Sequence, residues 1–204
     1  MGLAEFVLVA TLVEITPGPN MAYLASLAAV HGRRAGIQAV LGILLGLAAY
    51  GILAAFGLAA LVGASPTLYA ALRFAGVAYM LWLAVEAWRD GDAAPDALQR
   101  PVDGGHAGRR GFLVSVLNPK AGVFYLTVLP EFVDPARGAP LIQNLTLVAI
   151  YVAIATAAHL TVIAVAGAVH DRAAHDAGKR RMMQRCFAMA LTGVAAWLLF
   201  ATPK

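Results

Sequence analysis

Long apolar stretches dominate the chain, and polar residues gather in the short segments between them. A helix that crosses a membrane needs about 20 mostly apolar residues. Six stretches of roughly this kind lie at approximately 3–30, 36–64, 67–88, 111–133, 141–169 and 184–201. The pattern therefore predicts an all-α membrane protein with six transmembrane helices.

Proline motifs interrupt the first and the fourth of these stretches. The first contains five consecutive residues that disfavour a continuous helix, namely Thr16, Pro17, Gly18, Pro19 and Asn20. The fourth contains a similar motif, namely Asn118, Pro119 and Lys120. Proline removes a backbone donor and disfavours helical geometry in the residue before it. We therefore predict that transmembrane helices 1 and 4 are broken, and that new helices start with Thr16 or Gly18, and with Asn118, as N-caps before a proline.

The two breaks predict a binding site. In hydrocarbon a free backbone amide costs several kcal/mol, so a break at membrane depth must face protein or a wet cavity. Helices that begin at such a depth present unpaired N–H groups and the positive ends of their dipoles. These groups suit an anion such as a carboxylate. The predicted substrate-binding residues are therefore those of the two proline motifs, together with Glu14.

The two halves of the chain share a weak repeat. Segments Gly76–Ala84 and Gly193–Ala201 have a Gly-Val-Ala start and a similar spacing of later apolar residues. In each half the first stretch is the one that proline interrupts. Three spans per half make the halves enter the membrane in opposite directions, which is the 3+3 inverted repeat of many secondary transporters. We expect a first three-helix repeat at 1–89, a cytoplasmic linker at 90–110 and a second repeat at 111–204.

Composition agrees with a chain that lies mostly in the membrane. Of its 204 residues 61% are hydrophobic and 13% are charged, with a mean hydropathy of +0.75, whereas soluble domains are about half apolar and a quarter charged. The single cysteine, Cys186, excludes an internal disulfide, a CxxC redox pair and a thiolate metal cage. The first apolar stretch is longer than a signal-peptide core, so we expect it to be retained.

The excess of basic residues predicts an orientation rather than a nucleic-acid partner. Cytoplasmic loops of membrane proteins collect lysine and arginine. Eleven of the 15 basic residues flank three of the predicted loops, namely Arg33, Arg34, Arg89, Arg100, Arg109, Arg110, Arg172, Lys179, Arg180, Arg181 and Arg185. We expect a multi-pass protein of the bacterial cytoplasmic (inner) membrane with both termini outside the cytoplasm.

Glu14 and Lys120 are the charged residues that lie deepest in the predicted spans, and His159 lies inside the fifth span. Charge within a membrane is costly and indicates function by default. If the halves meet as an inverted pair, Glu14 and Lys120 each lie beside a break. They either pair with each other or hold the two ends of a zwitterion, with Glu14 toward the amino group. The structural alternative is an ion pair without a role in binding, or a Lys120 side chain that extends to the membrane interface. A histidine can change protonation near neutral pH, so His159 and Glu14 are the candidates for proton coupling. The other interpretation of His159 is that it makes one structural hydrogen bond.

Four further residues have a structural interpretation beside a functional one. Tyr50 and Tyr125 either line the cavity or pack in the core. Gly42 and Gly46 have GxxxG spacing, which predicts close helix packing rather than substrate contact. The other four histidines lie in predicted loops without metal-ligand spacing, and we predict neither a resident metal nor a cofactor.

Several motifs, taken in order, resemble those of one family. Besides the first proline motif, they are the basic turn at 32–36, the Gly76–Trp82 stretch, and the segment Leu117–Val133. Over about residues 5–201 the chain resembles the lysine exporter (LysE/RhtB) superfamily, in its homoserine/threonine exporter branch. The resemblance implies a six-span exporter of amino acids or related metabolites that uses the proton gradient. Glu14 and the pair Ala48 and Ala49 depart from the family's usual residues, which leaves the substrate open.

The sequence thus predicts a secondary transporter that exports an amino acid or a close derivative by proton antiport. Its expected partners are a zwitterionic amino acid, the lipid bilayer and, in a homodimer, a second copy of itself. A metal cation or another small metabolite is the alternative cargo, since a carboxylate and a histidine can bind cations. An intramembrane enzyme is disfavoured because the chain has neither HExxH nor GxSxG, and no ATP-binding GxxxxGK[ST] sequence occurs. A non-transporting membrane assembly subunit is the alternative of another class.

Overall fold

All regular structure in the described part of the chain is helical. The computed structural model describes residues 2–57, 65–92, 104–173 and 177–200. Seven α-helices lie there: α1 (Leu3–Ile15), α2 (Pro19–Ala55), α3 (Pro66–Asp92), α4 (Gly104–Val116), α5 (Pro119–Val123), α6 (Pro140–Ala173) and α7 (Ala177–Phe200). Helix α5 continues through a π-helical turn at Phe124–Val128 and a 3-10 turn at Leu129–Phe132, and another 3-10 turn lies at Pro135–Arg137. The predicted all-α fold is confirmed.

The described helices include at least two apolar spans. Helix α2 and the Pro140–Asp171 part of α6 are long and apolar enough to cross a membrane. Gly105–Val116 and Pro119–Phe132 form a further candidate that bends by 49° at its break. The count of six spans and the 3+3 repeat stay predictions.

Helix α2 folds back on itself at Gly32. Gly32 has a φ of +83°, a backbone conformation that favours glycine. A β-carbon placed on Gly36 would lie 3.1 Å from that of Ala28, although eight residues of straight helix separate two positions by about 12 Å. The chain therefore turns sharply between an arm at 19–31 and an arm at 33–55. This turn lies at the predicted boundary between the first two apolar stretches.

Glycines bring α2 and α4 into backbone contact. A β-carbon on Gly42 would lie 1.8 Å from the carbonyl oxygen of Gly108, and one on Gly111 would lie 2.2 Å from that of Ala39. A β-carbon on Gly46 would also collide with α4. The predicted close packing at the GxxxG motif is therefore confirmed, since a larger residue would force the helices apart.

The predicted linker is partly helical. Helix α4 begins at Gly104, inside the segment 90–110 that the sequence assigned to a turn-rich connection. Its first two turns pack on α2, and Ala107 is fully buried there. This tertiary packing outweighs the low helix propensity of the glycines. Residues 93–103 of the predicted linker lie outside the described residues.

Apolar side chains lie on the outside and several polar ones lie inside. Leu8, Leu41 and Leu45 are 60%, 59% and 66% exposed, whereas Glu14 and His159 are 5% and 1% exposed. Soluble proteins almost never bury an acidic residue completely and keep most charge at the surface. The reverse arrangement suits a protein whose outer surface meets lipid.

Candidate functional site

The first break separates α1 from α2. Helix α1 ends at Ile15, and both Thr16 and Gly18 have an extended backbone before α2 begins at Pro19. The two prolines cannot donate a backbone hydrogen bond, so the helical ladder stops here. Of the two predicted N-caps the structure uses Gly18, whereas Thr16 ends α1.

This break leaves backbone donors free at the start of α2. Gly18 offers no side chain to cap the helix, and the N–H groups of Asn20 and Met21 have no partner within the helix because they lie in its first turn. The side-chain Oδ1 of Asn20 is buried and accepts no hydrogen bond. Gly18, Pro19 and Asn20 are buried, whereas Thr16 and Pro17 are exposed on the outside.

The second break lies between α4 and α5 and is capped by side chains. As predicted, Asn118 is the N-cap of α5, and its Oδ1 accepts a hydrogen bond from the N–H of Lys120 at 3.0 Å. Pro119 occupies the first helical position. On the other side of the break, the Tyr50 hydroxyl donates to the carbonyl of Val116 at 2.9 Å. Backbone groups that the break frees therefore find polar partners, as a sheltered break requires.

The two breaks touch each other. The ammonium group of Lys120 donates to the carbonyl oxygen of Thr16 at 2.7 Å. A β-carbon on Gly18 would lie 3.3 Å from Cδ of Lys120, so the absence of a side chain at Gly18 leaves room for the lysine. The break in the second half of the chain thus satisfies a carbonyl that is freed in the first half.

The two broken helices run antiparallel. On one side of the touching breaks, the rings of Phe6 and Phe132 meet edge to face with centroids 5.1 Å apart. On the other side, the Tyr23 hydroxyl lies 3.4 Å from the carbonyl of Ala107. Contacts later in the first helix therefore involve earlier residues of the second, which is the arrangement of two elements with opposite directions.

A buried carboxylate lies beside the breaks. The Tyr151 hydroxyl donates to Oε1 of Glu14 at 2.5 Å, a length typical of a hydroxyl bound to a carboxylate. The Nε2 atom of His159 lies 3.6 Å from Oε2 of the same carboxylate. Sequence reasoning placed Glu14 and His159 here but missed Tyr151. The signal was available, because Tyr151, Ala155 and His159 follow each other at a spacing of four on the buried face of α6.

Glu14 and Lys120 do not pair directly. Among the described residues no salt bridge joins Glu14 to Lys120, whose ammonium group is bound to a backbone carbonyl. Both side chains nevertheless line the same cavity. Of the two predicted arrangements, the structure therefore has the charges separated across a space rather than joined.

Aromatic rings form one wall behind the carboxylate. The rings of Phe124 and Tyr151 stack with centroids 3.9 Å apart, and Tyr125 meets Tyr151 edge to face at 5.3 Å. Tyr50 stacks on Tyr125 at 6.2 Å. The π-helical turn that starts at Phe124 turns two consecutive residues inward, and such turns are common at functional sites. Tyr125 packs in this wall, while Tyr50 also caps the broken helix.

The cavity between these groups, the central cavity, is narrow. It accommodates about one water molecule, so a larger solute requires the helices around it to separate. Six of the predicted site residues line it, namely Glu14, Gly18, Asn20, Asn118, Lys120 and His159. The other predicted residues, namely Thr16, Pro17, Pro19 and Pro119, form the breaks without lining the cavity.

Two more cavities lie at the ends of the broken helices. One, the Phe6 cavity, has Phe6, Phe132 and Arg137 on its wall. The other, the Arg110 cavity, has Tyr23 and Arg110 on its wall. Along the first broken helix the order is Phe6 cavity, central cavity, Arg110 cavity, and along the second the order is reversed. The three cavities therefore follow each other along the same pair of helices.

The described residues contain no metal-binding cluster. No group of three or more His, Cys, Asp or Glu side chains lies close enough there to hold a metal ion. The central cavity has one carboxylate and one imidazole.

The most similar proteins compared include bacterial membrane proteins and efflux proteins. An uncharacterised membrane protein of Pseudomonas aeruginosa is 32% identical over 96% of this chain and 92% of its own length. A leucine efflux protein of Klebsiella pneumoniae is 32% identical over 64% of this chain and 63% of its own. A homoserine/homoserine lactone efflux protein of Salmonella typhimurium is 29% identical over 65% of both chains. The chain thus spans about two thirds of these efflux proteins. No solved structure matches it.

Helices with apolar outer faces, and a polar cavity where two of them break, define a polytopic membrane protein. The family model for the LysE type translocator matches residues 11–202, and the chain belongs to that family. Because the family consists of translocators, the protein is a membrane transporter and not an enzyme. The family resemblance predicted from the sequence motifs is confirmed.

Proposed function

We propose that the protein is a secondary transporter that exports an amino acid or a close derivative across the bacterial cytoplasmic membrane by proton antiport. One observation carries the proposal: the breaks of two antiparallel helices touch at a cavity that has both Glu14 and Lys120 on its wall. The relatives named for efflux of homoserine and of leucine support an amino acid as the substrate.

The proposed architecture is six spans in a 3+3 inverted repeat. Each broken helix forms one span, and its break lies near the midplane. This assignment is supported by arm lengths: α1 and α4 each have 13 residues, and the arms that follow the breaks are of similar length. Two such arms extend about 40 Å, close to the thickness of a bilayer with its headgroups. The antiparallel course of the two helices is what an inverted repeat requires.

The substrate is bound between opposite charges. Lys120 and the free N–H groups of Asn20 and Met21 bind its carboxylate, since a helix start and an ammonium group both favour an anion. Glu14 binds its ammonium group. When the substrate enters, Lys120 exchanges the carbonyl of Thr16 for the carboxylate, which the flexible stem of lysine allows. The remaining residues of the two motifs hold the breaks open.

Proton coupling follows from competition for Glu14. A charged Glu14 attracts an ammonium group, whereas a protonated Glu14 is neutral and releases it. His159 lies 3.6 Å from the carboxylate and can pass a proton to it. Because proton and substrate occupy the same carboxylate in turn, they cross the membrane in opposite directions.

The basic end of the molecule faces the cytoplasm in this proposal, and both termini lie outside. The Arg110 cavity lies at that end, near the turn that contains Arg33 and Arg34. The Phe6 cavity lies at the opposite end, beside the start of α1. The export route therefore leads from the Arg110 cavity through the central cavity to the Phe6 cavity.

Dipeptide feeding tests this function. Cells that express the protein, fed a dipeptide, should accumulate less of the constituent amino acid than cells without it, and a screen across all side chains identifies the substrate. Glu14→Gln and Lys120→Ala should each bring accumulation back to the level of cells without the protein, because each removes one of the two charges that bind the substrate. Immunoblots of the membrane fraction check that the variants insert.

A matched control distinguishes an effect of the binding site from a general effect of losing a charged side chain. Glu131→Gln removes an exposed carboxylate from the 3-10 turn at the end of the second broken helix and should leave export unchanged. Export by both site variants at the parental rate would refute the site assignment. A screen in which no amino acid, homoserine or homoserine lactone is exported would refute the substrate class.

A further inference from the structure

The Arg110 cavity is separate from the central cavity. It lies between α2, α3, α4 and α7 and shares no lining residue with the central cavity. Its volume is about 70 Å³, below the range of about 300–1,000 Å³ that is usual for small-molecule sites, so the surrounding helices must move apart to admit an amino acid. Ser26, on its wall, follows Asn20 of the central cavity by six residues, or about 9 Å along a helix.

An incompletely satisfied ion pair lies on the wall of this cavity. Arg110 Nη2 and Glu86 Oε1 are 2.7 Å apart, and both side chains are partly buried. The second carboxylate oxygen of Glu86 and the Nε of Arg110 are buried without a hydrogen-bond partner. Both residues therefore keep hydrogen-bonding capacity that faces the interior of the protein.

Gln184 adds a third polar group to the same wall. Its side chain belongs to α7, is only 2% exposed, and its Oε1 accepts no hydrogen bond. More than 90% of buried polar groups in proteins are hydrogen-bonded, and an exception calls for a physical reason. Three such atoms around one cavity indicate a polar ligand that carries both a donor and an acceptor.

The arrangement of these groups matches a zwitterion with an apolar side chain. The guanidinium of Arg110 lies over the ring of Trp82, 5.1 Å from the centroid, which fixes its plane for a carboxylate. Glu86 and the Gln184 oxygen accept from an ammonium group. Leu83, Phe187 and Leu191 supply apolar wall for the rest of the molecule.

We propose that the Arg110 cavity is a second amino-acid site, which binds the substrate at the cytoplasmic end before it reaches the central cavity. The inference rests on the proposed function and extends it, because it names the place where the substrate first binds. The substrate carboxylate binds Arg110, and its ammonium group binds Glu86 and Gln184. An ion pair that is only structural would gain nothing from a glutamine oxygen without a hydrogen-bond partner on the wall of the same cavity.

Kinetics from the cytoplasmic face test the site. Inside-out vesicles are incubated with radiolabelled amino acids in the outer solution, L-leucine and L-homoserine first and then the full set. Gln184→Leu and Glu86→Gln should each raise the concentration for half-maximal uptake about tenfold or more, since the first removes a hydrogen bond to the substrate ammonium group and the second removes the charge that faces it. The maximal rate should stay within about twofold because the central cavity is intact.

Two controls exclude a structural cause. Asp171→Asn removes the exposed ion pair with Arg33 near the same end of the molecule and should leave the half-saturating concentration unchanged. Gln184→Leu replaces a buried oxygen that has no partner, so the unfolding temperature in detergent should not fall.

The possible failures can be told apart. If the parent takes up no amino acid above empty vesicles, the proposed function and this site both fail. If the parent transports but Gln184→Leu and Glu86→Gln have the parental half-saturating concentration, only the second site fails. An effect seen solely in right-side-out vesicles would overturn its role as the first site.

Discussion

At the scale of single residues, the site depends on how a buried carboxylate is held. Glu14 is 5% exposed, and a carboxyl group buried to this extent needs hydrogen-bond partners. Tyr151 supplies a hydrogen bond at 2.5 Å and leaves the second oxygen toward His159 and the cavity. The tyrosine therefore orients one oxygen and leaves the other toward the cavity, where the proposed function needs it for a proton or an ammonium group.

Removal of this hydroxyl should impair transport without unfolding the protein. A hydrogen bond to a charged group contributes about 1.5–3 kcal/mol, so Tyr151→Phe should lower the export rate about tenfold or more. The ring stays in the aromatic wall and the membrane level of the variant should equal that of the parent. Export of the dipeptide-derived amino acid measures the effect.

Tyr79→Phe is the control for this prediction. The hydroxyl of Tyr79 is also buried but has no hydrogen-bond partner, so its removal should change export less than about twofold. Equal export by Tyr151→Phe and Tyr79→Phe would show that the hydroxyl on Glu14 plays no part in transport.

Single residues could be predicted from the sequence where their chemistry is unusual for their surroundings. Glu14 and Lys120 stood out because charge is rare in apolar stretches, and the structure places both on one cavity. Tyr151 did not stand out because a tyrosine in an apolar helix is ordinary. Its role depends on a contact with a residue 137 positions away, which no local pattern reveals.

At the scale of helices, the breaks are encoded locally and joined by tertiary contacts. Proline and glycine stop α1, and Asn118 caps α5, as their local chemistry predicts. The contact of Lys120 with the Thr16 carbonyl joins the two breaks. The helices thus give up part of their hydrogen-bond ladder where the cavity forms.

Restoring a continuous first helix should abolish transport. The double variant Pro17→Ala and Pro19→Ala replaces both prolines of the first break. Alanine is favoured over proline in a helix by about 3 kcal/mol per residue, so the backbone hydrogen bonds of a continuous helix can form across the break. The free N–H groups of Asn20 and Met21 would then be occupied. Export should fall to background while the unfolding temperature in detergent stays the same or rises.

Pro140→Ala provides the matched change outside the site. Pro140 starts α6, at a position where proline is tolerated because no donor is needed. This variant should export like the parent. Parental export by the variant with both first-break prolines replaced would contradict a role for the break in binding.

The repeat is less symmetric in the structure than in the sequence. A β-carbon on Gly76 would lie 2.3 Å from the carbonyl of Leu117 at the second break, whereas one on Gly193 would meet nothing within 4 Å. Corresponding glycines therefore have different surroundings. Sequence similarity predicted matching segments, but packing depends on neighbours that the segments do not share. Packing against a neighbour, in this case α2, also explains why α4 begins within the predicted linker.

At the scale of the whole molecule, the antiparallel pair of broken helices organises the cavities. The Phe6, central and Arg110 cavities follow one another along both helices in opposite order. The central cavity is narrow, and the proposed transport route needs the helices to separate there. An antiparallel pair presents similar elements to both ends, which suits alternating access.

Cross-linking across the two broken helices tests this arrangement most directly. In a Cys186→Ser background, cysteine pairs are placed at residues 6 and 132 and at residues 23 and 107, and a protease site is inserted into 93–103. A short, membrane-permeant bifunctional thiol reagent should keep the halves together after cleavage for both pairs. The exchanged pairs, 6 with 107 and 23 with 132, lie at least about 25 Å apart along the helices. With these pairs the two halves should separate after cleavage. Efficient cross-linking of the exchanged pairs, or none of the first two, would contradict the antiparallel contact.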